Sequence, residues 1–379
     1  MIYFGFCILL LATSSSFSCT LLHVSSEDNA KEIVVGRTFE YHQVFPYSLW
    51  SQPKRKNYGA LFIGVKEVDL VFDGMNSAGL TVSAHAFHQA KYQAPSYGYQ
   101  HVHFTDFVPF VLESFANVEQ VVKSLQNDLQ IVGWGDGSVN GKKQQMMSEL
   151  GLHWGIQDAL GQSIVIEYLN GQLNFHNSTE IGVMTNDPDY LWHLRNLNQY
   201  AGVRNEHQTS QKTCTTKEIG KIPSWRSHGH NLLGVPGDVS PASRFVRTFL
   251  LKQLALTGKP PKSFKESFEL VNQLLNAVAF PIGSVAPQVP TERGFDHPQW
   301  SVIKIPKLKQ FYIRMYSLPN WRKIDLNYVN LDPEAKPVAG RLLGSEHIDS
   351  IDITESFLKQ YVEKGEHKVD QEIGKFEFV

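Results

Sequence analysis

The chain has 379 residues, of which 42% are hydrophobic and 12% aromatic, a composition typical of one large globular domain or two ordinary ones. Its formal net charge is −2, so the chain lacks the strongly basic balance expected of a nucleic-acid-binding protein. No apolar run reaches the ~18 residues that a membrane span needs.

The first 18 residues predict a secretory signal peptide. Residues 2–12 are almost wholly apolar, and small residues, Ser16 and Ser18, occupy the −3 and −1 positions of a cleavage site after Ser18. No Lys or Arg precedes the apolar segment, so a buried first helix is the alternative. We favour export, which leaves residues 19–379 as a single domain with a charged extension from about residue 340.

Strands are predicted in both halves of the chain. In the first half, strands are predicted over residues 31–39 and 80–87. An apolar stretch between them, over 61–71, ends in a turn predicted at Asp73-Gly74. In the second half, residues 163–168 and 173–176 form a hairpin around Asn170-Gly171. Three short strands follow at 300–305, 311–316 and 321–326.

Helical spacing of apolar residues predicts helices over 107–125, 243–256 and 263–278, and one surface helix near the C-terminus. Residues 133–143 are rich in glycine but lack the phosphate-binding pattern, so they predict a plain loop. Antiparallel hairpins in both halves, with helices between them, predict a layered α+β protein. The strands do not alternate regularly with helices, which argues against a doubly wound sheet.

Removal of the signal peptide would make Cys19 the first residue of the mature chain. A free α-amine has a pKa of about 7.7–8.0, so it can accept the thiol proton directly or through a water. Arg37 is a candidate for the cation that favours the thiolate, and Glu40 is close enough in sequence to hold the α-amine. The sequence therefore indicates Cys19 as a candidate N-terminal nucleophile.

Other interpretations of Cys19 remain open. It could be a lipid attachment site, although Ser16 and Phe17 stand where such sites usually carry Leu and a small residue. It could form a disulfide with Cys214, which would exclude its use as a nucleophile. A papain-type site would need a local signature that is absent around Cys19.

Histidine pairs occur at positions 85/88, 101/103 and 228/230, but the chain has no HExxH or CxxC motif. We therefore predict no metal site.

An ordered series of motifs resembles the choloylglycine hydrolase family, which includes bile salt hydrolases and penicillin V acylases. The resemblance extends from Cys19 to about Leu326. It is carried by Cys19-Thr20, Gly36-Arg37-Thr38-Phe39-Glu40, Asp73-Gly74-Met75-Asn76-Ser77-Ala78-Gly79-Leu80, Leu152-His153-Trp154, Thr185-Asn186, Asn196-Leu197-Asn198-Gln199-Tyr200, Pro236-Gly237-Asp238 and Pro241-Ala242-Ser243-Arg244-Phe245.

The resemblance implies an N-terminal nucleophile hydrolase fold with two antiparallel sheets between helical layers, αββα. It implies hydrolysis of a linear amide without a cofactor, usually by a homotetramer. By motif, Cys19 is the nucleophile and Arg37 lies beside it. Asn186 supplies an oxyanion-hole donor, and Arg244 supports the charge of the site.

The chain departs from the family pattern at two positions. Glu40 stands where the family has an Asp that binds the α-amine. Ala86 stands where a second oxyanion-hole Asn is common, so that donor is missing or replaced by a backbone N–H or by a neighbour such as His85. These departures, and a signal peptide before the Cys, fit the Gram-negative branch and predict a periplasmic or secreted protein.

Three classes of acyl amide fit the family: conjugated bile acids, penicillin V and N-acyl homoserine lactones. Each joins an apolar acyl group to a small polar amine, so the pocket should be apolar with a polar mouth. Phe39, Tyr41 and Phe87 are candidates for its wall. The rival hypotheses are a non-catalytic exported binding protein or lipoprotein, and an acid-ceramidase-like amidase that matures by internal self-cleavage.

Overall fold

The computed structural model describes residues 18–26, 32–42, 46–133, 151–204, 232–286 and 294–342. Several predictions lie outside these ranges: the signal peptide up to residue 17, Cys214, the histidine pair 228/230, most of the 133–143 loop, and the C-terminal helix with most of its charged extension.

The described part of the chain forms strands and helices at the following positions. The strands are β1 Ser18–Ser25, β2 Ile33–Tyr41, β3 Ser48–Gln52, β4 Ala60–Val65, β5 Leu70–Asn76, β6 Thr81–Ala86, β7 Gln100–His103, β8 Leu129–Val132, β9 Leu152–Gln157, β10 Ser163–Leu169, β11 Gln172–Asn177, β12 Val183–Met184, β13 His297–Ile305, β14 Gln310–Met315, β15 Leu318–Asp325 and β16 Ala339–Arg341. The helices are α1 Phe107–Ser114, α2 Val118–Asn127, α3 Tyr190–Asn196, α4 Pro241–Gly258 and α5 Phe264–Asn276. Within these ranges, no helix combines the length and apolar character needed to cross a membrane.

Two large antiparallel sheets form the centre of the fold. Sheet A has the strand order β12-β1-β2-β13-β14-β15, and sheet B has the order β11-β10-β9-β6-β5-β4-β3-β16. Helices α4 and α5 pack on the outer face of sheet A, and α1 packs on the outer face of sheet B. This is the predicted αββα arrangement. Strand β2 is buried along its whole length because it has sheet B on one side and a helix on the other.

The close approach of α5 to sheet A depends on Gly36. A Cβ atom at this position would lie 2.4 Å from Cγ1 of Val271 and 3.2 Å from Cδ1 of Leu275, both on α5. The absent side chain therefore allows the helix to rest directly on the strand that carries Arg37.

Most of the predicted elements are confirmed. The hairpin of β10 and β11 turns at Asn170 and Gly171, both with positive φ. Helix α5 begins after Ser263, whose side chain accepts a hydrogen bond from the backbone N–H of Glu266. The three predicted strands near residues 300–326 are β13, β14 and β15.

Two predicted boundaries are wrong. The chain reverses between β4 and β5 at residues 66–69, where Asp69 adopts the left-handed conformation, and not at Asp73-Gly74. Asp73 and Gly74 lie inside β5, where the glycine allows close contact with Leu112 of α1. The helix predicted over 107–125 is two helices, because Asn117 leaves the helical conformation and caps α2.

Candidate active site

Cys19 lies at the start of β1, in the layer between the two sheets. It is paired with Phe39 of β2 and is fully buried, with a free thiol. The next residue, Thr20, points to the opposite face of the strand, towards Arg244 of α4. In the described chain Ser18 precedes Cys19, so the nitrogen of Cys19 is a peptide N–H, and it donates to Oδ1 of Asn186 over 2.9 Å.

Arg37 is the cation beside the thiol. Its Nη2 lies 3.6 Å from Sγ of Cys19 and also donates to the carbonyl oxygen of Ala84. Its Nη1 donates to the carbonyl oxygen of Phe72 over 2.7 Å and to Oδ2 of Asp73 over 3.1 Å. The guanidinium is therefore held by groups of sheet B while one of its nitrogens faces the sulfur.

Asn186 and Arg244 hold the backbone of Cys19. Arg244 donates from Nη1 to the carbonyl oxygen of Cys19 over 2.5 Å and to Oγ1 of Thr20 over 2.7 Å. It donates from Nη2 to Oδ1 of Asn186 over 2.9 Å. The Nδ2 group of Asn186 donates to the carbonyl oxygen of Ala86 over 2.9 Å. Two donors at Oδ1 and one acceptor at Nδ2 define the orientation of this amide.

The N-terminus of α4 places Arg244. Ser240 caps the helix by accepting from the N–H of Ser243, and Pro241 occupies its first turn. Asp238 accepts from the backbone of Ser240 and from the hydroxyl of Ser243. The family-like motifs around residues 236–245 thus form the start of the helix from which Arg244 reaches Cys19.

Glu40 lies opposite Ser18 in the pairing of β1 with β2 and is fully buried. Neither of its carboxylate oxygens makes a hydrogen bond of good geometry among the described residues, but the side chain of Thr38 lies close enough to act on its pKa. Burial raises the pKa of Glu40 to about 7, although the positive charge of Arg244 acts to lower it. A buried carboxylate is unfavourable unless it is well paired, so this position is suited to a further cation.

The thiol of Cys19 is neutral in the described chain. Burial raises its pKa to about 11, even though the adjacent guanidinium of Arg37 acts to lower it. A thiol with this pKa forms little thiolate near neutral pH unless a base takes its proton.

Asp73 and Lys304 form a buried ion pair behind Arg37, and the sequence analysis missed it. Nζ of Lys304 lies 2.6 Å from Oδ1 of Asp73 and 3.0 Å from Oγ of Ser83, and both charged side chains are fully buried. One signal in the sequence could have indicated this pair. Lys304 is a charged residue inside strand β13, on the same face of the strand as the buried Trp300 and Val302.

A network of histidines lies behind Asn186. The carbonyl oxygen of Thr185 accepts from Nε2 of His153 over 3.0 Å and from Nδ1 of His85 over 2.9 Å. Nδ1 of His153 lies 2.9 Å from Oε1 of Glu167. Burial acts to raise the pKa of Glu167, but the hydrogen bond from His153 contributes to holding it at about 2. This network fixes the segment that carries Asn186.

Ala86 offers no side-chain donor, and its carbonyl oxygen is occupied by Asn186. The suggestion that His85 replaces the family Asn is not supported. A carbonyl oxygen only accepts, so Nδ1 of His85 carries the proton that faces Thr185. Burial and the nearby Arg37 hold the pKa of His85 well below its usual range, so Nε2 carries no proton to donate.

Of the aromatic residues predicted to line a pocket, Phe39 lies nearest to the site. It stacks on Trp300 with ring centroids 4.8 Å apart, and both rings lie beside the guanidinium of Arg37. Tyr41 is buried further along the same strand. Phe87 is buried and stacks on His153, with ring centroids 4.5 Å apart.

Among the described residues, no group of three or more His, Cys, Asp or Glu side chains is arranged to hold a metal ion. Nδ1 of His88 lies 3.0 Å from Oδ2 of Asp187, and Nε2 of His101 lies 3.0 Å from the carbonyl oxygen of Ser96. His88 and His101, each from one of the histidine pairs noted in the sequence, therefore make contacts at two separate places.

Comparison with known proteins agrees with the family resemblance of the sequence motifs. The sequence model described as linear amide C–N hydrolases, choloylglycine hydrolase family, matches residues 19–339. A bile salt hydrolase/transferase from Clostridium perfringens is 30% identical over 268 residues, which cover 69% of this chain and 74% of that protein. A penicillin V acylase from Pectobacterium atrosepticum is 24% identical and covers 89% of this chain and 88% of its own length.

Solved structures agree with this match. A crystal structure of a mutant conjugated bile acid hydrolase from Clostridium perfringens covers 88% of this chain and 100% of its own, with a TM-score of 0.71 and 26% identity. A penicillin V acylase from Agrobacterium tumefaciens covers 84% of this chain and 89% of its own, with a TM-score of 0.61. At 22% identity, the second likeness concerns the fold alone.

Proposed function

This chain belongs to the choloylglycine hydrolase family of linear amide C–N hydrolases, and we propose that it cleaves an acyl amide with the thiol of Cys19 as nucleophile. The observation that carries the proposal is the convergence of three side chains on one residue. Arg37 contacts the sulfur of Cys19, Arg244 binds its carbonyl oxygen, and Asn186 binds its nitrogen.

Removal of the leader up to Ser18 would turn the nitrogen of Cys19 into an α-amine. Ser18 lies opposite Glu40, which is fully buried, so the new ammonium would form close to the carboxyl group of Glu40. Oδ1 of Asn186 already accepts from this nitrogen. The two contacts support a role for Glu40 and Asn186 in holding the amine that acts as base.

The reaction then has two halves. The α-amine takes the thiol proton, and the thiolate attacks the amide carbonyl of the substrate while Arg37 stabilises its charge. The Nδ2 group of Asn186 holds the tetrahedral oxyanion. The C–N bond breaks, the ammonium returns a proton to the leaving amine, and water hydrolyses the thioester to release the acid and restore the thiol.

The substrate class is an acyl amide with an apolar acyl group. The aromatic pair Phe39 and Trp300 beside Arg37 supports an apolar acyl side, and the named relatives act on conjugated bile acids and penicillin V. We propose these two and N-acyl homoserine lactones as the substrates to test first, with a homotetramer as the expected assembly. We also propose export to the periplasm or medium of a Gram-negative bacterium.

A hydrolysis panel tests this function. Purified protein, shown by intact mass to begin at Cys19, is incubated with glycine- and taurine-conjugated bile acids, penicillin V and acyl homoserine lactones of several chain lengths. We expect release of the free amine from at least one of them, and loss of that activity in Cys19→Ala. An active Cys19→Ala variant, or an inert protein that binds the amides unchanged, would contradict the proposal.

The mass of the mature chain separates the rival hypotheses. Cleavage after Ser18 gives a chain that starts at Cys19, whereas a lipoprotein is heavier by its acyl groups. Internal self-cleavage would give two fragments on a denaturing gel. We expect a single unmodified chain.

A further inference from the structure

Lys304 is a buried cation for which the reaction described above has no role. It lies in β13 and reaches across to sheet B, where its Nζ contacts Oδ1 of Asp73 at 2.6 Å and Oγ of Ser83 at 3.0 Å. Its side chain has no exposure to solvent. An ammonium group in this environment is costly to bury, so its presence calls for a physical reason.

Asp73 is shared between two cations. Its Oδ1 binds Lys304, and its Oδ2 binds Nη1 of Arg37 at 3.1 Å and the hydroxyl of Ser83 at 2.5 Å. The three charged groups together carry one excess positive charge. The other terminal nitrogen of Arg37, Nη2, is the one that lies 3.6 Å from the sulfur of Cys19.

We propose that Lys304 is a positioning residue for the reaction: it pairs with Asp73 so that the charge of Arg37 stays uncompensated and directed at the sulfur of Cys19. Without Lys304, Asp73 would neutralise Arg37 alone, and the excess charge would disappear. This inference rests on the proposed role of Cys19 as nucleophile.

The Lys304 variants leave the other charged and titratable residues around Cys19 unaltered. They are Glu40 from β2, Arg244 from α4, His85 from β6, Asp296 before β13 and Tyr47 before β3. A change in the behaviour of Cys19 can therefore be assigned to the Asp73–Lys304 pair.

The test measures the rate at which iodoacetamide alkylates Cys19 in the mature protein as a function of pH, because this rate follows the thiolate fraction and needs no substrate. For Lys304→Met, we expect the midpoint of the profile to rise by about one pH unit and the rate below it to fall about tenfold. Lys304→Gln also removes the charge but keeps a hydrogen-bond donor for Asp73 and Ser83. It should show the same shift of the midpoint, and it provides the test if Lys304→Met does not fold.

The double variant Lys304→Met/Asp73→Asn separates charge from structure. It removes the charges of both Lys304 and Asp73, so Arg37 again carries an uncompensated positive charge. The midpoint of the alkylation profile should therefore return towards that of the parent protein. A purely structural role would lower the folded fraction in each variant, and further in the double variant, without moving the midpoint. Lys252→Met, which removes another buried lysine, is the matched control and should keep the parent midpoint.

An unchanged midpoint in both Lys304 variants, or a double variant that does not return towards the parent, would overturn the inference. Failure of the proposed function has a different signature. In that case peptide mapping of the parent protein would show no alkylation at Cys19, or Cys19→Ala would keep its hydrolase activity.

Discussion

Arg244 donates a hydrogen bond from Nη2 to Oδ1 of Asn186 over 2.9 Å, and this contact decides which end of the Asn186 amide serves as donor. With Oδ1 bound by Arg244 and by the nitrogen of Cys19, the Nδ2 group of Asn186 donates towards Ala86, and we propose that it is the end of the amide that serves the substrate oxyanion. The orientation is set by a residue of α4 and a residue of β1, which are distant in sequence.

Replacement of Asn186 by Ala should therefore act on the chemical step. We expect kcat to fall by about 10²–10³ with a small change in KM, because an oxyanion donor contributes mainly in the transition state. Steady-state kinetics on whichever amide is cleaved measures this. The control is Asn127→Ala on exposed α2, which should retain normal kinetics. A fall in kcat/KM caused by KM alone would contradict this role.

Glu40 should make the stability of the unprocessed chain depend on pH. Its pKa is raised to about 7, whereas an unfolded Glu titrates near 4.5. The native state keeps a proton that the unfolded chain releases, so the free energy of unfolding falls as pH rises from about 4.5 to about 7, by at most about 3 kcal/mol. Urea unfolding of the unprocessed chain at pH 5 and pH 8 measures the difference.

The Glu40→Gln variant provides the comparison for this effect. It should lose less stability than the unprocessed parent between the two pH values, since Gln does not titrate. If the α-ammonium of a chain that begins at Cys19 pairs with Glu40 as proposed, the stability of that processed parent should depend on pH no more than that of the processed Glu40→Gln variant. Equal pH dependence of parent and variant before processing would rule out the effect.

Lys252 of α4 should contribute to stability by satisfying backbone carbonyls. Its buried Nζ donates to the carbonyl oxygen of Ile181 over 2.6 Å, and more weakly to those of Glu180 and His23. Lys252→Met leaves these acceptors without their donor, which should cost about 1–3 kcal/mol and lower the Tm by several degrees. Lys265, which is exposed and pairs with Glu269, is the control, and Lys265→Met should leave the Tm unchanged.

Gly36 should tolerate no side chain. In Gly36→Ala the new methyl group would overlap Val271 of α5, so the helix must move away from β2 at a cost of about 1–3 kcal/mol. Because Arg37 follows directly, activity per folded molecule should also fall. Calorimetry and kinetics measure the two effects. Gly202→Ala, where a Cβ meets nothing within 4 Å, should change neither.

Features that depend on local chemistry could be predicted from the sequence. The hairpin of β10 and β11 follows from alternation around Asn170-Gly171, and the start of α5 from the cap at Ser263. The turn placed at Asp73-Gly74 was wrong for a reason outside the local sequence. Gly74 serves the contact of β5 with α1, which only the packed structure contains.

The sequence by itself determined that Cys19 follows a predicted cleavage site and that Arg37, Glu40, Asn186 and Arg244 stand in motifs of one hydrolase family. The tertiary structure decided how they meet. It paired Ser18 with Glu40 and placed Asp73 and Lys304 behind Arg37. Asp73 of sheet B meets Arg37 and Lys304 of sheet A, and the burial that makes these charges consequential arises only when the two sheets pack together.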